Sequence, residues 1–348
     1  MLVGVSGFGS TGSGAVMDYL REFDEVGAGR SMELAFLYDP DGVLDMEYHL
    51  ILNPIRFYSG DAAIKRFKRI IYSYDLVRYV NRFMSVQKFK EISNDYIEDL
   101  IQMQWEGGLW HFDRRQVSKF DYWIKYLLGG KILRIFDKLH LEQPKNFLNH
   151  RMYIPVHDDR FYIATRKYTT RLLKEMCDTS KKIIAIDQPF PSNNPACCFK
   201  FFEQECKAII VKRDPRDLYL ISKKLSFGWE RRFTPTHNVE EFIEYYKDQM
   251  DLIKEYGENV LCVQFEDLIY NYEVETQRIK KFLGLSGIQH AKKYFDPAVS
   301  IANTQMILRY PELKSDIEKI EKSLSKYLYL FDESKADLNA RMWAFKNE

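Results

Sequence analysis

Gly7-Phe8-Gly9-Ser10-Thr11-Gly12-Ser13-Gly14 packs four glycines and three hydroxyls into eight residues. Residues of these types at this density are suited to holding an anion. Glycines let the backbone turn sharply and bring its N–H groups against a phosphate, and hydroxyls add donors. A helix opening directly afterwards adds a partial positive charge. An ordinary strand-to-helix turn has no need of so many glycines. Gly9, Ser10, Thr11, Gly12, Ser13 and Gly14 are therefore candidate residues for binding a phosphorylated ligand.

Two kinds of nucleotide loop can be compared with this one. Gly7-Phe8-Gly9-Ser10-Thr11-Gly12 spells the dinucleotide pattern GxGxxG, with Asp24 or Glu25 downstream as candidate acids for a ribose. That keeps an NAD(P)-binding oxidoreductase as one reading. A Walker A loop ends in Gly-Lys-Ser/Thr, whose lysine meets the β- and γ-phosphates. Gly12-Ser13-Gly14 has no lysine, which argues against an ordinary ATP or GTP kinase.

Two further sites lie where buried strands end. Ala208-Ile209-Ile210-Val211 runs into Lys212-Arg213-Asp214-Pro215-Arg216-Asp217, so Arg213 stands at a strand's carboxyl end beside a helix start. An arginine there is placed to pair with a phosphate bidentately. Ile183-Ile184-Ala185-Ile186 ends in Asp187-Gln188-Pro189. Ligands of open α/β sheets bind at that edge, which makes Asp187 a candidate proton acceptor. The alternative is an aspartate that opens the turn containing Pro189 and Pro191.

Taken together, these segments resemble the sulfotransferases that use 3′-phosphoadenosine-5′-phosphosulfate (PAPS), bacterial carbohydrate-type members included. Thr11-Gly12-Ser13, Arg213-Asp214-Pro215-Arg216-Asp217, Phe265-Glu266-Asp267-Leu268 and Phe282-Leu283-Gly284-Leu285 match that family's motifs in order. The resemblance implies a P-loop-like α/β three-layer sandwich with a central parallel sheet. It implies PAPS as the sulfuryl donor, with its phosphosulfate on the first loop and its 3′-phosphate on Arg213 and a serine. It also implies a carbohydrate or glycolipid hydroxyl as the acceptor. A non-catalytic nucleotide- or glycan-binding protein is the remaining alternative.

The chain departs from the family pattern at two places. Where the family carries a lysine or arginine in the loop, this chain has Ser10, which gives a hydrogen bond but no charge. The family's serine falls one residue early, on Ile221, so Ser222 is displaced by a helical turn of about 100°. In related enzymes a glutamate at about the distance of Glu33 serves as the base, and Arg30 beside it is placed to supply the missing cation. Glu33, Asp187 and Arg30 are thus the candidate catalytic residues. Glu266 and Asp267 are read as structural, tying the helix that follows.

The composition is consistent with such an enzyme. The chain has 348 residues, 46% of them hydrophobic, enough for a sizeable core. Its 51 basic and 50 acidic residues leave a net charge of +1, so no nucleic-acid partner is expected. The five cysteines fall in no metal-binding spacing, and reduced thiols, no metal and a cytoplasmic location are expected. From Arg56 to Lys90 nine basic residues interleave with aromatics, which suits an acidic glycan, and as a surface also nucleic acid or, in peripheral membrane contact, anionic lipid headgroups. An amphipathic helix with core aromatics and a solvated basic face accounts for the pattern equally well. Trp105, Trp110 and Trp123 either line an acceptor cleft or fill core. The oligomeric state is not legible.

The elements that must position these residues follow from apolar periodicity. Leu2 to Ser6, Ile183 to Ile186, Ala208 to Val211 and Val260 to Val263 read as buried parallel strands. Val16, Met17 and Leu20 mark a helix after the loop, and residues 56–174 read as mostly helical. Ile317, Ile320, Leu324, Tyr327 and Phe331 predict a last amphipathic helix. The expected organisation is a single domain over residues 1–348 with a mostly helical acceptor-side insertion at about 50–180.

Overall fold

The structure, a computed structural model, describes residues 1–28, 33–55, 57–107, 118–142, 150–225 and 234–337. Arg30 and Trp110 lie outside the described residues. The chain divides into two compact units, one formed by Met1–Ala35 with Leu173–Glu348, the other by Phe36–Leu172. The first unit begins with β1 (Leu2–Gly7), α1 (Ser13–Leu20) and β2 (Val26–Ala28). The second carries α2 (Phe57–Ile71), α3 (Val86–Leu100), β3 (Ile101–Gly107), β4 (His150–Pro155) and most of α4 (Arg160–Met176). The chain then returns to the first unit with β5 (Ile183–Asp187), β6 (Cys206–Lys212), α5 (Pro215–Lys224) and α6 (Val239–Asp251). It continues through β7 (Val260–Gln264), α7 (Tyr272–Leu283) and α8 (Lys314–Ser323).

The strands of the first unit form one all-parallel sheet in the order β2-β5-β1-β6-β7. β1 and β5 are apolar on both faces, as a strand buried between helical layers must be. Leu2 lies opposite Ile184 on one side and Cys206 on the other, so β1 is central. On one face, Val3, Val5, Ile183, Ala185, Ile209 and Val211 pack with Val16, Met17 and Leu20 of α1 and Ile279 and Leu283 of α7. A second core cluster joins α5, α6 and α8 through Tyr219, Phe242, Tyr246, Ile317 and Ile320. This is the expected α/β class, a P-loop-like parallel sheet flanked by helices. β5 stands between β1 and β2, whereas the dinucleotide-binding order sets the first two strands side by side.

Three elements differ from the sequence reading. β2 spans three residues, too short to leave a periodic signal. β3 and β4 form an antiparallel ladder inside the stretch expected to be mostly helical. β3 is exposed along most of its length, so burial wrote no alternation into it, and its pairing comes from a distant segment. The C-terminal helix stops at Ser323 instead of running to Phe331. There the backbone finds other partners: Tyr329 N–H donates to Asp214 Oδ2 at 2.7 Å, and Arg216 Nη2 donates to Tyr329 O at 2.8 Å.

Candidate active site

The loop after β1 stands at the carboxyl edge of the sheet, between the ends of β5 and β6. The chain leaves β1 toward one side of the sheet and later crosses to the other, and ligands gather at such a switch point. Gly9, Ser10 and Gly12 have φ of 79°, 52° and 100°, all in the left-handed region. Thr11 Oγ1 accepts from Phe8 N–H at 3.1 Å. A Cβ on Gly7 would meet that oxygen at 2.2 Å, and one on Gly12 would meet the Phe265 ring at 2.4 Å. Glycine is therefore required at 12 both by dihedral angle and by space. Gly12 is the N-cap of α1, no side chain caps it, and the first turn holds no acidic residue. That leaves the positive end of the helix turned to an incoming anion.

Gln188 fastens the loop. Its Oε1 accepts from Gly7 N–H at 3.3 Å, and its Nε2 donates to Ser13 Oγ at 3.3 Å. Ser192 Oγ donates to Gly7 O at 2.6 Å. Gln188 is itself held at φ 47°, an unfavourable conformation for a residue with a Cβ.

Beside this clamp the structure brings Asp187 and Glu33 together. Leu34 N–H donates to Asp187 O at 3.3 Å, which sets Glu33 next to the end of β5. Asp187 is 8% exposed, and its Oδ1 has no hydrogen-bond partner among the described residues. Burial, and then the charge of Glu33, push the Asp187 carboxyl up to about 7, while Arg21 and the Ser13 hydroxyl pull the other way. Glu33 is exposed. A buried carboxyl raised toward neutrality beside an anion loop is suited to proton transfer.

Arg213 is engaged by the protein itself. It is 5% exposed, its Nη1 donates to Ser10 O at 3.0 Å, and its Nη2 donates to Asn303 O. The guanidinium lies 4.4 Å from the centre of the Phe265 ring, and Nε is its one nitrogen without a partner among the described residues. The rest of the motif is architectural. Asp214 caps α5 by accepting from Arg216 N–H at 2.8 Å and pairs with the Arg216 guanidinium. Asp217 accepts from Gln305 and Met306 N–H at 2.9 and 2.8 Å. Glu266 accepts from Asp214 N–H at 2.9 Å, so it ties the motif's turn rather than the helix that follows it. Burial raises Glu266 to about 8 despite the nearby Arg213. Ser222 lies in the same helix, 2% exposed.

The sequence reading missed Ser192, Asn303 and the ring of Phe265 as parts of this site. Asn303 carries no local signal, since its contribution is a backbone carbonyl delivered by a distant turn. The acids considered for a dinucleotide ribose lie elsewhere. Asp24 and Glu25 precede β2, at the opposite edge of the sheet from the loop. Asp24 faces His290 at 3.1 Å, and Glu25 accepts from Ser286 N–H at 2.6 Å. Trp105 and Trp123 are 36% and 56% exposed, so neither fills core. No group of three or more His, Cys, Asp or Glu among the described residues could hold a metal ion.

No protein-family model matches the chain, and no curated protein matches it. Among solved structures it is similar to the sulfotransferase domain of the Synechococcus PCC 7002 olefin synthase. The identity is 12% and the TM-score 0.38, over 85% of this chain and 76% of that one. A likeness that slight carries no argument about chemistry, which rests on the residues above.

Proposed function

We propose that the chain is a sulfotransferase that moves a sulfuryl group from PAPS to a hydroxyl of a carbohydrate or glycolipid acceptor. One observation carries the reading: an anion-type loop with an uncapped helix start lies beside a buried carboxyl raised to about 7. Sulfuryl transfer needs both features. The acceptor oxygen attacks sulfur, the bond from sulfur to the phosphate oxygen breaks, and adenosine 3′,5′-bisphosphate leaves. Charge that builds on the leaving phosphate requires fixed donors, and the acceptor proton requires a base.

In this reading Gly9 to Gly14 hold the phosphosulfate through backbone N–H groups and the Ser10, Thr11 and Ser13 hydroxyls. Asp187 takes the acceptor proton, and the negative Glu33 keeps it basic enough to do so. Arg213 sets the loop from behind through the Ser10 carbonyl. Arg30 is assigned the cation that Ser10 does not supply. The rival, a non-catalytic nucleotide or glycan binder, draws on the neutral Ser10 and on the carbonyl contacts of Arg213. Thermal shift with adenosine 3′,5′-bisphosphate, NAD and ATP tests the ligand class. Stabilisation by the bisphosphate alone supports the reading, and stabilisation by NAD alone overturns it. Transfer from labelled PAPS to a glycan or glycolipid acceptor separates enzyme from binder.

A further inference from the structure

We infer that residues 119–138 of the second unit form a membrane-surface element that lies on an anionic lipid bilayer. The run is helical throughout, in the consecutive pieces Lys119–Tyr122, Trp123–Leu128 and Gly129–Lys138. At helical rise it is about 30 Å long. Large apolar side chains stand in solvent along it: Phe120 is 72% exposed, Trp123 56%, Leu127 48% and Ile135 53%. Gly129 is its one buried residue among those described. A helix that belonged to a core would bury this stripe, since apolar area left in water forgoes about 25 cal/mol per Å².

The charge pattern says what covers it. In Gly129–Lys138 and the residue after, Ile132, Ile135, Phe136 and Leu139 recur at the i, i+3, i+4, i+7 spacing of one helical face. Lys131, Arg134 and Lys138 recur at i, i+3, i+7 along the flank of that face, about 120° round the helix from it. The run holds five cations (Lys119, Lys125, Lys131, Arg134, Lys138) against Asp121 and Asp137, a net +3 in a chain whose total is +1. Cations interleaved with and flanking exposed Trp, Phe and Leu suit an interfacial helix, since lysine and arginine stems lie along apolar surface while their heads reach the headgroups. Its apolar side enters the boundary of headgroups and acyl chains, and its cations meet anionic headgroups. Tyr122 and Trp123 are of the types that settle at that boundary. A second copy of this chain is the poorer occupant, because it would bring a like net charge against the run. No helix among the described residues is long and apolar enough to cross a membrane, so the run lies on the bilayer rather than through it.

Co-sedimentation of the full chain with vesicles tests the inference, using phosphatidylglycerol mixed with phosphatidylcholine against phosphatidylcholine alone. Binding is expected on the anionic vesicles, weaker by about tenfold or more on the neutral ones, and falling as salt rises. K131E/R134E and F120S/W123S each should lose about tenfold or more with an unchanged melting temperature. Hydrogen exchange of the unaltered chain provides a check that needs no variant, since added anionic vesicles should protect residues 119–138. Equal binding to both vesicles, no binding to either, or protection confined to another segment would overturn the inference. So would a stable dimer in solution that W123S separates, which would give the face to a second copy.

Discussion

Arg213 Nη1 donates to the carbonyl of Ser10 at 3.0 Å, so the motif arginine grips the backbone of the anion loop at one of its left-handed residues. Its other terminal nitrogen holds Asn303 O, and the guanidinium therefore bridges the loop to the turn that Asp217 anchors at Gln305 and Met306. The motif reads in the sequence as a phosphate site. In the fold it is first a joint between the loop, α5 and the 303–306 turn.

Arg213→Lys keeps the charge but cannot span two carbonyls. Stability should fall by about 1–3 kcal/mol as one of the two carbonyls loses its donor. Adenosine 3′,5′-bisphosphate and adenosine 5′-phosphate should lose affinity by similar factors, because the loop that holds their common 5′-phosphate is disturbed. Isothermal titration with both ligands decides the point. A loss confined to the bisphosphate would make Arg213 a direct ligand of the 3′-phosphate.

Gly12 and Gly14 should respond oppositely to alanine. At Gly12 the φ of 100° and the Phe265 ring, 2.4 Å from an added Cβ, both oppose it. Strain and displacement of the ring should cost about 2–4 kcal/mol. A Cβ on Gly14 meets nothing within 4 Å, and in a helix alanine should gain up to about 1 kcal/mol. Urea denaturation of the two variants measures the difference. A Gly12→Ala variant as stable as the parent would mean that the loop relaxes and is not set by Phe265.

The buried strands and the loop were legible because each is written locally, in apolar runs and glycines. Asp187 and Gln188 could be placed at a sheet edge for the same reason. What joins them could not be read. Gly7 meets Gln188 and Ser192, and Arg213 meets Asn303, only because parallel pairing brings distant strand ends to one edge. In the sequence Asp187 reads equally as a proton acceptor and as the opener of a proline turn. Its burial, and the charge of Glu33 beside it, exist only in the folded chain. The ladder of β3 and β4 was hidden for a related reason, since β3 is exposed along most of its length and finds its partner only in a distant segment.

Asp187→Asn should stabilise the protein at alkaline pH. Folding raises this carboxyl from 3.8 to about 7, so between those values the folded state keeps a proton that the unfolded chain has released. Stability contributed by that proton is full below the unfolded value and is lost as pH rises through about 7. Asparagine carries no charge to bury, so its advantage should be absent near pH 4 and reach about 2–4 kcal/mol above pH 7. Thermal melts at both pH values test this. A variant less stable than the parent at both would show that the Asp187 carboxylate is held by a partner, contrary to its unpartnered Oδ1.

The same titration should govern turnover. If Asp187 takes the acceptor proton, only its carboxylate form is active, and the rate of sulfuryl transfer should rise with pH through about 7. Asp187→Asn keeps the shape but removes the base, and should lower turnover by about 10²–10⁴-fold while donor affinity changes little. Glu33→Gln should act differently. Glu33 raises the Asp187 pKa by its charge, so neutralising it lets that pKa fall and moves the midpoint of the profile to lower pH. Below the parent's midpoint this variant should then have the larger active fraction, with a plateau rate within a few-fold of the parent's. Measured pH–rate profiles of the three proteins distinguish the roles. Should Glu33→Gln abolish turnover at every pH while Asp187→Asn keeps the parent's profile, the proton goes to Glu33, and Asp187 serves only to place it through the contact between Leu34 N–H and its own carbonyl.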